Sequence, residues 1–321
     1  MLIASCAELL AHAKLGKAMI KKLAKKAKST IAVVIATRGR PDIVADTVKR
    51  LLQQSRVPDH VYVIGSQASD IALLKPVKGK VTTLVGRVGS AHQRNDGLAL
   101  TGENYDTIVF FDDDFIPSHY WIERMAEVFD TKADVIGLSG VILDDGTRTA
   151  GISVADADAM VERQDREVAA TGKVSNSFVH GGNVGCNMAY RNSAIGSIRF
   201  DENLPLYAWL EDSDFRGQVE RKGHFAKALD LWGVHLGHKH GRSSGITLGY
   251  AQIANSVYLA RKGTVPKSYI AQVTIRNLAA NTLKSIAPEP YIDRRGRLKG
   301  NMMALVDLMR GRMNPNRILD M

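Results

Sequence analysis

Short apolar runs alternate with helix-patterned segments across the first half of this sequence. The runs typical of buried strands lie at residues 31–41, 61–66, 81–86, 107–115 and 133–143. The segments between them have the apolar spacing of helices, at residues 42–54, 91–101 and 119–130. Strands that alternate with helices in this way predict a doubly wound α/β fold, in which a mostly parallel sheet is flanked by helices.

The second half of the sequence is less regular. Residues 144–180 are polar, and we expect a flexible or partly helical insertion there. Further on, the pattern predicts a strand from about Val184 to Tyr190, a helix over 210–223, a strand over 224–236 and mostly helix after Ile246. We therefore expect three parts: an N-terminal helix at 1–30, an α/β domain at 31–262 and a helical, basic extension at 263–321.

The formal net charge of +10 is concentrated near the two ends of the chain. Seven lysines lie between residues 14 and 28, and a second cluster of arginines lies at 294–317. Such charge attracts anions, which could be nucleic acid, an anionic membrane or a phosphorylated substrate. A helix over residues 2–28 would have lysines opposite an apolar face, so it could lie on anionic lipid or pack on the protein's own body.

The sequence has no pattern for crossing a membrane. No apolar run approaches the roughly 18 residues that a spanning helix needs, and the order of charges near the N-terminus is not that of a secretory signal. The two cysteines, Cys6 and Cys186, are far apart, which argues against a disulfide framework and a zinc knuckle. We expect a cytoplasmic protein that could associate with the inner face of the cytoplasmic membrane.

Three carboxylates, Asp112, Asp113 and Asp114, directly follow an apolar strand. Ligands of open α/β sheets bind at the carboxyl ends of strands. Adjacent carboxylates repel one another, so we expect a compensating cation, and Mg²⁺ or Mn²⁺ suits such oxygen ligands. The alternative is an acidic turn in solvent, because Asp is common in turns.

A second group of polar residues follows Trp209. Glu211 and Asp212 lie at the start of a predicted helix, where acids can simply stabilise the helix dipole. A carboxylate beside an aromatic ring also suits a sugar acceptor, since the carboxylate can take a hydroxyl proton and the ring can cover a sugar face. Arg94, in the segment AHQRNDG, could meet a nucleotide or hold the aspartate loop.

Histidines cluster late in the sequence, at His235, His238 and His240, and Arg242 follows them. His238 and His240 could join a metal or diphosphate site, and Arg242 could neutralise a diphosphate. The sequence has no GxxxxGK[ST] loop, no GxGxxG after the first strand, no GxSxG and no HExxH. P-loop hydrolysis, dinucleotide redox chemistry and common hydrolase mechanisms therefore lose support.

The order of these motifs resembles that of family 2 glycosyltransferases of the GT-A fold. The matching segments are VVIATRGRP, AHQRNDGLAL, FFDDDF, GGNVGCNMAYR, WLEDSDF and HLGHKHGR, over roughly residues 31–245. The resemblance implies an inverting, metal-assisted transfer from a nucleotide-sugar donor, with a UDP-sugar favoured. We expect a saccharide or lipid-linked saccharide as acceptor, in polysaccharide or glycolipid assembly, because the basic N-terminal helix suits a lipid-linked one; a protein acceptor stays open. The N-terminal helix and the residues after about 265 lie outside the resemblance.

The resemblance also implies roles for individual residues. Asp212 would be the general base, positioned with Glu211, and Asp114 would bind the divalent ion, with His238 as a further metal ligand. Acceptor contacts are implied for Trp209 and Gly182. Donor contacts are implied for Thr37, Arg38, Asp70, Arg94, Asp112, Asp113 and Arg242. The sequence departs from the family where VIGSQASD follows the second strand, because Asp70 comes several residues later than usual.

Two other classes stay open at this point. A sugar-1-phosphate nucleotidyltransferase has a related sheet and uses a metal, but ATRGRPD is a poor version of its Gly-rich loop. A basic nucleic-acid-binding protein would suit the net charge, but an aromatic content of 6% is low for base stacking, and we expect no nucleic-acid partner. A member of the family that only binds a nucleotide sugar is disfavoured by the intact set of acids.

Overall fold

The computed structural model describes residues 28–75, 77–171, 178–180, 185–241 and 243–321, with the backbone alone for 178–180. The predicted N-terminal helix, Gly182 and Arg242 lie outside the described residues. Within them, the strands are β1 (Ile31–Thr37), β2 (His60–Gly65), β3 (Val81–Val85), β4 (Thr107–Asp112), β5 (Phe115–Pro117), β6 (Val135–Asp145), β7 (Phe178–His180), β8 (Asn187–Arg191) and β9 (His224–His235).

The helices of the described chain follow the strands closely in sequence. They are α1 (Pro41–Leu51), α2 (Ser90–Thr101), α3 (Trp121–Thr131), α4 (Val154–Thr171), α5 (Asn192–Ile195), α6 (Glu211–Val219), α7 (Gly245–Lys262), α8 (Lys267–Lys284) and α9 (Arg294–Met309). Short 3₁₀ turns lie at Ala68–Ile71, Gly146–Arg148, Glu220–Lys222 and Pro315–Asp320. The α/β class expected from the alternating pattern is confirmed.

All described strands belong to one sheet, in the order β3-β2-β1-β4-β8-β6-β9-β5, with β7 also paired to β9. The first four neighbours are parallel, and β8, β5 and β7 run antiparallel to their partners. The chain moves outward from β1 through β2 to β3, and then returns to the other side of β1 as β4. This change of direction leaves a crevice at the carboxyl ends of β1 and β4, where ligands of such sheets bind.

Strand β1 shows how the sheet is buried on both faces. Its side chains alternate, so Ile31, Val33 and Ile35 pack in one core with α1 and α3, while Ala32 and Val34 pack in the other with α2 and α6. Each core also takes residues from β4 in the same alternation. The continuous apolar runs read in the sequence are therefore strands that are covered by helices on both faces.

Close approach between α2 and β1 depends on one small residue. A Cβ atom added at Gly97 would lie 2.3 Å from Cγ1 of Val34, so any larger residue would force the helix off the sheet. Helix α2 begins after Gly89, which has a φ of +122°. The segment is thus fixed against the sheet, which sets the position of the polar residues along α2.

The C-terminal helices pack on α7 with their backbones in near contact. A Cβ atom added at Gly249 would lie 2.1 Å from the carbonyl oxygen of Arg297, and one added at Gly300 would lie 2.1 Å from that of Ile246. Buried amides join the same helices, since Asn281 of α8 donates to the side chains of Gln252 and Asn301. The helical C-terminal extension that we expected is therefore present and is bound tightly to α7.

The polar insertion at 144–180 contains helix α4, and β6 extends to Asp145, two residues further than the apolar pattern indicated. None of the helices in the described part of the chain combines the length and apolar character needed to span a bilayer.

Candidate active site

The acidic triplet lies at the carboxyl end of β4, in the crevice beside β1. Asp112 is the last residue of β4, and Asp113 and Asp114 form the turn into β5. Asp113 and Asp114 are buried, whereas a third of the Asp112 side chain is exposed. The triplet is therefore not an acidic turn in solvent.

Asp113 supports the loop that follows β1. Its carboxylate accepts 2.7 Å hydrogen bonds from the Thr37 hydroxyl and from the Arg40 guanidinium. Burial raises the pKa of Asp113 to about 7, although the nearby Arg40 opposes this shift. Thr37 and Asp113 are thus buried against each other, and the donor contacts implied for them stay predictions.

Asp114 has positively charged and donating groups on several sides. Arg40 Nη1 lies 3.2 Å from Asp114 Oδ2, His235 Nε2 lies 3.1 Å from Oδ1, and the main-chain N–H of His238 donates to Oδ2 over 2.8 Å. Burial favours a high pKa for Asp114, but the hydrogen bond and charge of His235 and the charge of Arg40 together lower it. The compensation expected for adjacent carboxylates is supplied here by Arg40 and His235.

One group of possible metal ligands occurs among the described residues. Asp112, Asp114 and His235 each offer a ligand atom, and these atoms lie within 4.8 Å of one another. On the far side of the ring, His235 Nδ1 lies 3.1 Å from Oδ1 of Asp145. Two carboxylates and an imidazole oriented by a further carboxylate suit Mn²⁺ or Mg²⁺.

This grouping differs in detail from the roles implied by the resemblance. Asp114, for which the resemblance implied a metal-ligand role, belongs to the group. Asp112, for which it implied a contact with the donor, belongs to the group as well. The histidine of the group is His235, while the contact described for His238 is through its main chain. A metal-ligand role for the His238 ring stays a prediction.

Arg94 joins the aspartate triplet to the acids of α6. Its guanidinium is buried, with Nη2 2.8 Å from Oδ1 of Asp112 and Nη1 in an ion pair with Glu211. Glu211 also accepts a 2.8 Å hydrogen bond from the Ser90 hydroxyl at the start of α2. Of the two roles considered for Arg94, holding the aspartate loop is the one its contacts match.

Glu211 and Asp212 lie in an environment that favours protonated carboxyl groups. Burial, together with the charge of Asp212, raises the pKa of Glu211 to about 7. Burial and the charge of Asp112 also raise the pKa of Asp212, against the effect of the main-chain hydrogen bond from Ser213. A carboxylate whose pKa is raised in this way is suited to accept a proton near neutral pH.

The remaining predicted site residues differ in how exposed they are. Arg38 is exposed in the loop after β1, and Trp209 is half-buried with its carbonyl held by Asn255 over 3.0 Å. Asp70, in contrast, is buried and accepts hydrogen bonds from the main chain of Gly39 and Ser66. Asp70 therefore fixes the loop that carries Arg38, and its implied contact with the base stays a prediction.

Four residues at the site were not assigned roles from the sequence: Arg40, Asp145, Ser90 and His235. Arg40 lies in the segment TRGRP, so its place directly after a strand end was a usable signal. Its Nε also donates to the carbonyl of His240 over 2.8 Å, which joins the β1 loop to the histidine segment. Asp145 and Ser90 carry no local signal, because each reaches the site only through long-range packing.

The family model described as Glycosyl transferase family 2 matches residues 32–198. No curated protein matches the sequence.

Two solved structures are similar over most of the chain. The mannosyltransferase PcManGT from Pyrobaculum calidifontis, in complex with GDP-Man and Mn²⁺, is 14% identical with a TM-score of 0.54, covering 98% of this chain and 95% of that chain. S. aureus TarS 1–349 is 13% identical with a TM-score of 0.54, covering 90% of this chain and 82% of that chain. At these identities the similarity shows a shared fold, which confirms the architecture implied by the resemblance.

Proposed function

Because this chain belongs to glycosyl transferase family 2, we propose that it transfers a sugar from a nucleotide-diphosphate sugar to an acceptor hydroxyl, with metal assistance and inversion of configuration. The observation that carries the proposal is the position of Arg94. One buried guanidinium contacts both Asp112, in the group of possible metal ligands, and Glu211, beside the candidate base. Acids far apart in the sequence are thus joined by one buried side chain.

The donor would bind at the end of β4. Asp112, Asp114 and His235 would hold the divalent cation, which when bound supplies a Lewis acid and a template for the diphosphate. The relative from Pyrobaculum calidifontis, whose structure contains GDP-Man and Mn²⁺, supports this class of donor. Arg38, which is exposed in the loop after β1, would contact the nucleotide.

Asp212 would act as the general base. Its carboxylate takes the proton of the acceptor hydroxyl, whose oxygen forms a bond to the anomeric carbon. The bond from that carbon to the diphosphate oxygen breaks, and the electron pair leaves with the nucleoside diphosphate. Attack from the face opposite the leaving group inverts the configuration, and general-base help contributes about 10²–10⁴-fold.

Glu211 would position the acceptor and the base. Its ion pair with Arg94 and its hydrogen bond from Ser90 hold the first turn of α6, which carries Asp212. Trp209 would lie under the acceptor.

A screen of nucleotide sugars tests the proposal directly. We expect UDP- or GDP-linked sugars to raise the thermal unfolding midpoint only when Mn²⁺ or Mg²⁺ is present, because a ligand of the folded form stabilises it. Asp114→Ala should lose this metal-dependent shift, while Asp42→Ala, which changes an acid in the first turn of α1, should keep it. Equal donor affinity with and without Mn²⁺, measured by calorimetry, would contradict the metal assignment.

We also propose that the acceptor is a saccharide or lipid-linked saccharide that is presented at an anionic membrane surface. The support is the net charge of +10 and the lysines between residues 14 and 28. The α/β domain at 31–262 would do the transfer, and the basic ends would hold the lipid surface. Flotation with phosphatidylglycerol vesicles at low salt tests this, and protein that stays at the bottom of the gradient would refute it.

A further inference from the structure

Large apolar side chains are exposed as a group in the C-terminal extension. Among the described residues, the four with the greatest exposure all lie there: Ile275 at 65%, Leu283 at 71%, Met309 at 80% and Ile286 at 82%. Folded proteins expose such side chains singly, whereas a group of them marks a surface that meets a partner. Three of the four lie on helix α8 or directly after it.

The exposed residues of α8 form one apolar stripe. Ala271, Ile275, Ala279 and Leu283 follow one another at intervals of four residues, and Ile286 comes three residues later. Residues at this spacing share one face of a helix, and all five are exposed. We call these five residues the α8 stripe.

The opposite face of α8 fastens the helix to the protein. Ile270 lies in the same buried core as Phe200. Asn281 donates to the side chains of Gln252 on α7 and Asn301 on α9. The helix is therefore held in place without its stripe, which is left on the surface of the part of the chain that the structure describes.

The sequence around the α8 stripe is positively charged. Residues 231–288 contain seven lysines and arginines and no aspartate or glutamate. Lys267 and Arg276, both exposed, flank the stripe on its two sides along the helix. Arg295 is exposed as well, and its Nε donates to the carbonyl of Ser285 over 3.0 Å, beside the end of the stripe.

An apolar stripe with a positive border matches an anionic bilayer. Leucine and isoleucine side chains gain free energy when they enter the acyl region, and long basic side chains beside them reach the lipid phosphates. A second copy of this chain fits less well, because it would place the same cations against one another. It would also offer no acid from residues 231–288, and the next acid, Glu289, is already paired with Lys284 and Arg294.

An open cavity of about 650 Å³ lies next along the chain from the α8 stripe. Pro288–Arg295 line it together with Lys239. Lys239 directly follows His238, whose main-chain N–H donates to Asp114. The segment after the stripe and the histidine segment therefore border one cavity, so a bilayer at the stripe would lie near the proposed metal side.

From these observations we propose that the α8 stripe enters the acyl region of an anionic bilayer and holds the chain on the membrane. This contact rests on the proposed function, because it would bring the chain to a lipid-linked acceptor. It differs from attraction by the basic ends alone, since apolar side chains buried in lipid keep binding when salt screens the charges.

Flotation separates the α8 stripe from attraction by charge. The full chain is mixed with phosphatidylglycerol vesicles at low salt and at about 0.5 M salt, where charges are screened. We expect the unaltered chain to float in both. Ile275→Glu combined with Leu283→Glu should lower the partition coefficient by at least about tenfold, because two side chains no longer enter the lipid.

A matched control adds the same two charges elsewhere. Leu73 and Val57 are exposed apolar residues of the α/β domain, so Leu73→Glu combined with Val57→Glu should float like the unaltered chain. Thermal unfolding midpoints of both variants should match that of the unaltered chain, because every substituted side chain is exposed.

A tryptophan at the end of the α8 stripe reports insertion directly. Phosphatidylglycerol with brominated acyl chains quenches indole emission within the bilayer. We expect the added emission of Ile286→Trp to be quenched by these vesicles, and that of Val57→Trp to be unaffected, since Val57 is exposed but lies outside the stripe.

Three results would overturn the membrane contact of the α8 stripe. The first is equal flotation of the stripe variant and the control pair, and the second is equal quenching in Ile286→Trp and Val57→Trp. The third is a dimer of the unaltered chain, measured by light scattering, that the stripe variant makes monomeric, because a second copy then covers the stripe. Flotation at low salt alone would leave only attraction by the basic ends.

Failure of the proposed transfer is measured separately. If Mn²⁺-dependent binding of a nucleotide sugar persists while the stripe fails these tests, the stripe is wrong and the proposed transfer stands. Absence of that binding in the unaltered chain would instead contradict the proposed transfer, whatever the vesicles show.

Discussion

Replacing Arg94 by methionine would remove the cation between two acids while it keeps most of the apolar stem. Arg94 is 4% exposed and pairs with Asp112 and Glu211. Removing one partner of a buried ion pair costs about 3–5 kcal/mol, because the remaining charge is left without compensation. Since Asp112 is partly solvated, we expect the lower end, a loss of about 3 kcal/mol in the free energy of unfolding at pH 8.

The size of this loss should depend on pH. The pKa of Glu211 in the folded chain is about 7, above its ordinary value of 4.5, so the folded state binds the proton more tightly than the unfolded state. Stability therefore falls as pH rises from about 4.5 through 7. Without Arg94, which lowers the pKa of Glu211, that pKa rises further in the folded chain. The loss of stability therefore continues to higher pH. At pH 6, where Glu211 is largely protonated, the loss should shrink to about half of its value at pH 8.

Urea denaturation of both proteins at pH 6 and pH 8, in buffer with a chelator, measures these losses. Arg87→Met is the matched control, because Arg87 also pairs with two acids, Asp96 and Glu202, but its side chain is half exposed. Exposed pairs contribute little, so that variant should lose less than about 1 kcal/mol. A loss in Arg94→Met that is as small as the control's, or equal at the two pH values, would refute the reasoning.

Three further predictions follow from other contacts. Asp212→Asn should bind donor with Mn²⁺ normally in calorimetry and lose about 10²–10⁴-fold in transfer rate, and near-normal turnover would remove Asp212 from the base role. Asp145→Ala should weaken Mn²⁺ binding by about 10–100-fold, since it removes the oxygen that orients His235, and unchanged affinity by titration would contradict this. Gly249→Ala should lower the free energy of unfolding by about 1–3 kcal/mol because its Cβ would meet the α9 backbone, and an unaltered thermal midpoint would show that the helices can separate freely.

The strands and helices of the first half could be predicted because their signal is local. The apolar run before Asp112 and the helical spacing after Pro41 each reflect burial against neighbours on both faces of the sheet. The full extent of β6 was harder to predict. β6 continues beyond its apolar part to Asp145 because pairing with β9 sustains it, and that pairing is not visible in the residues themselves.

Most acids of the site could be listed from the sequence, but the contacts that each one makes could not. Three adjacent aspartates look alike in the sequence, yet in the structure Asp113 is buried against Thr37 while a third of the Asp112 side chain is exposed. The sequence favoured His238 over His235 as a metal ligand, and only the register of β9 against β5 brings His235 beside Asp114. Such choices depend on contacts between distant segments.

The segment directly before α6 shows a further limit of prediction from the sequence. Leu206, Ala208 and Leu210 have positive φ values there. Nothing in the letters LPLYAWL indicates left-handed residues, because Leu and Ala disfavour that region. The conformation follows from donors on α2, α6 and α7, which become neighbours only in the folded chain.

The α7 and α9 backbones are in near contact, so the position of α9 affects the start of α7 and the histidine segment before it. Helix α7 begins at Gly245, where an added Cβ would lie 2.3 Å from the Asp293 carboxylate, and the segment just before α7 carries His235 and His238. A bulky residue at Gly300 would push α9 outward and free the start of α7. A random-mutagenesis screen for weakened Mn²⁺ binding should therefore recover substitutions at Gly300, far along the chain from every proposed ligand.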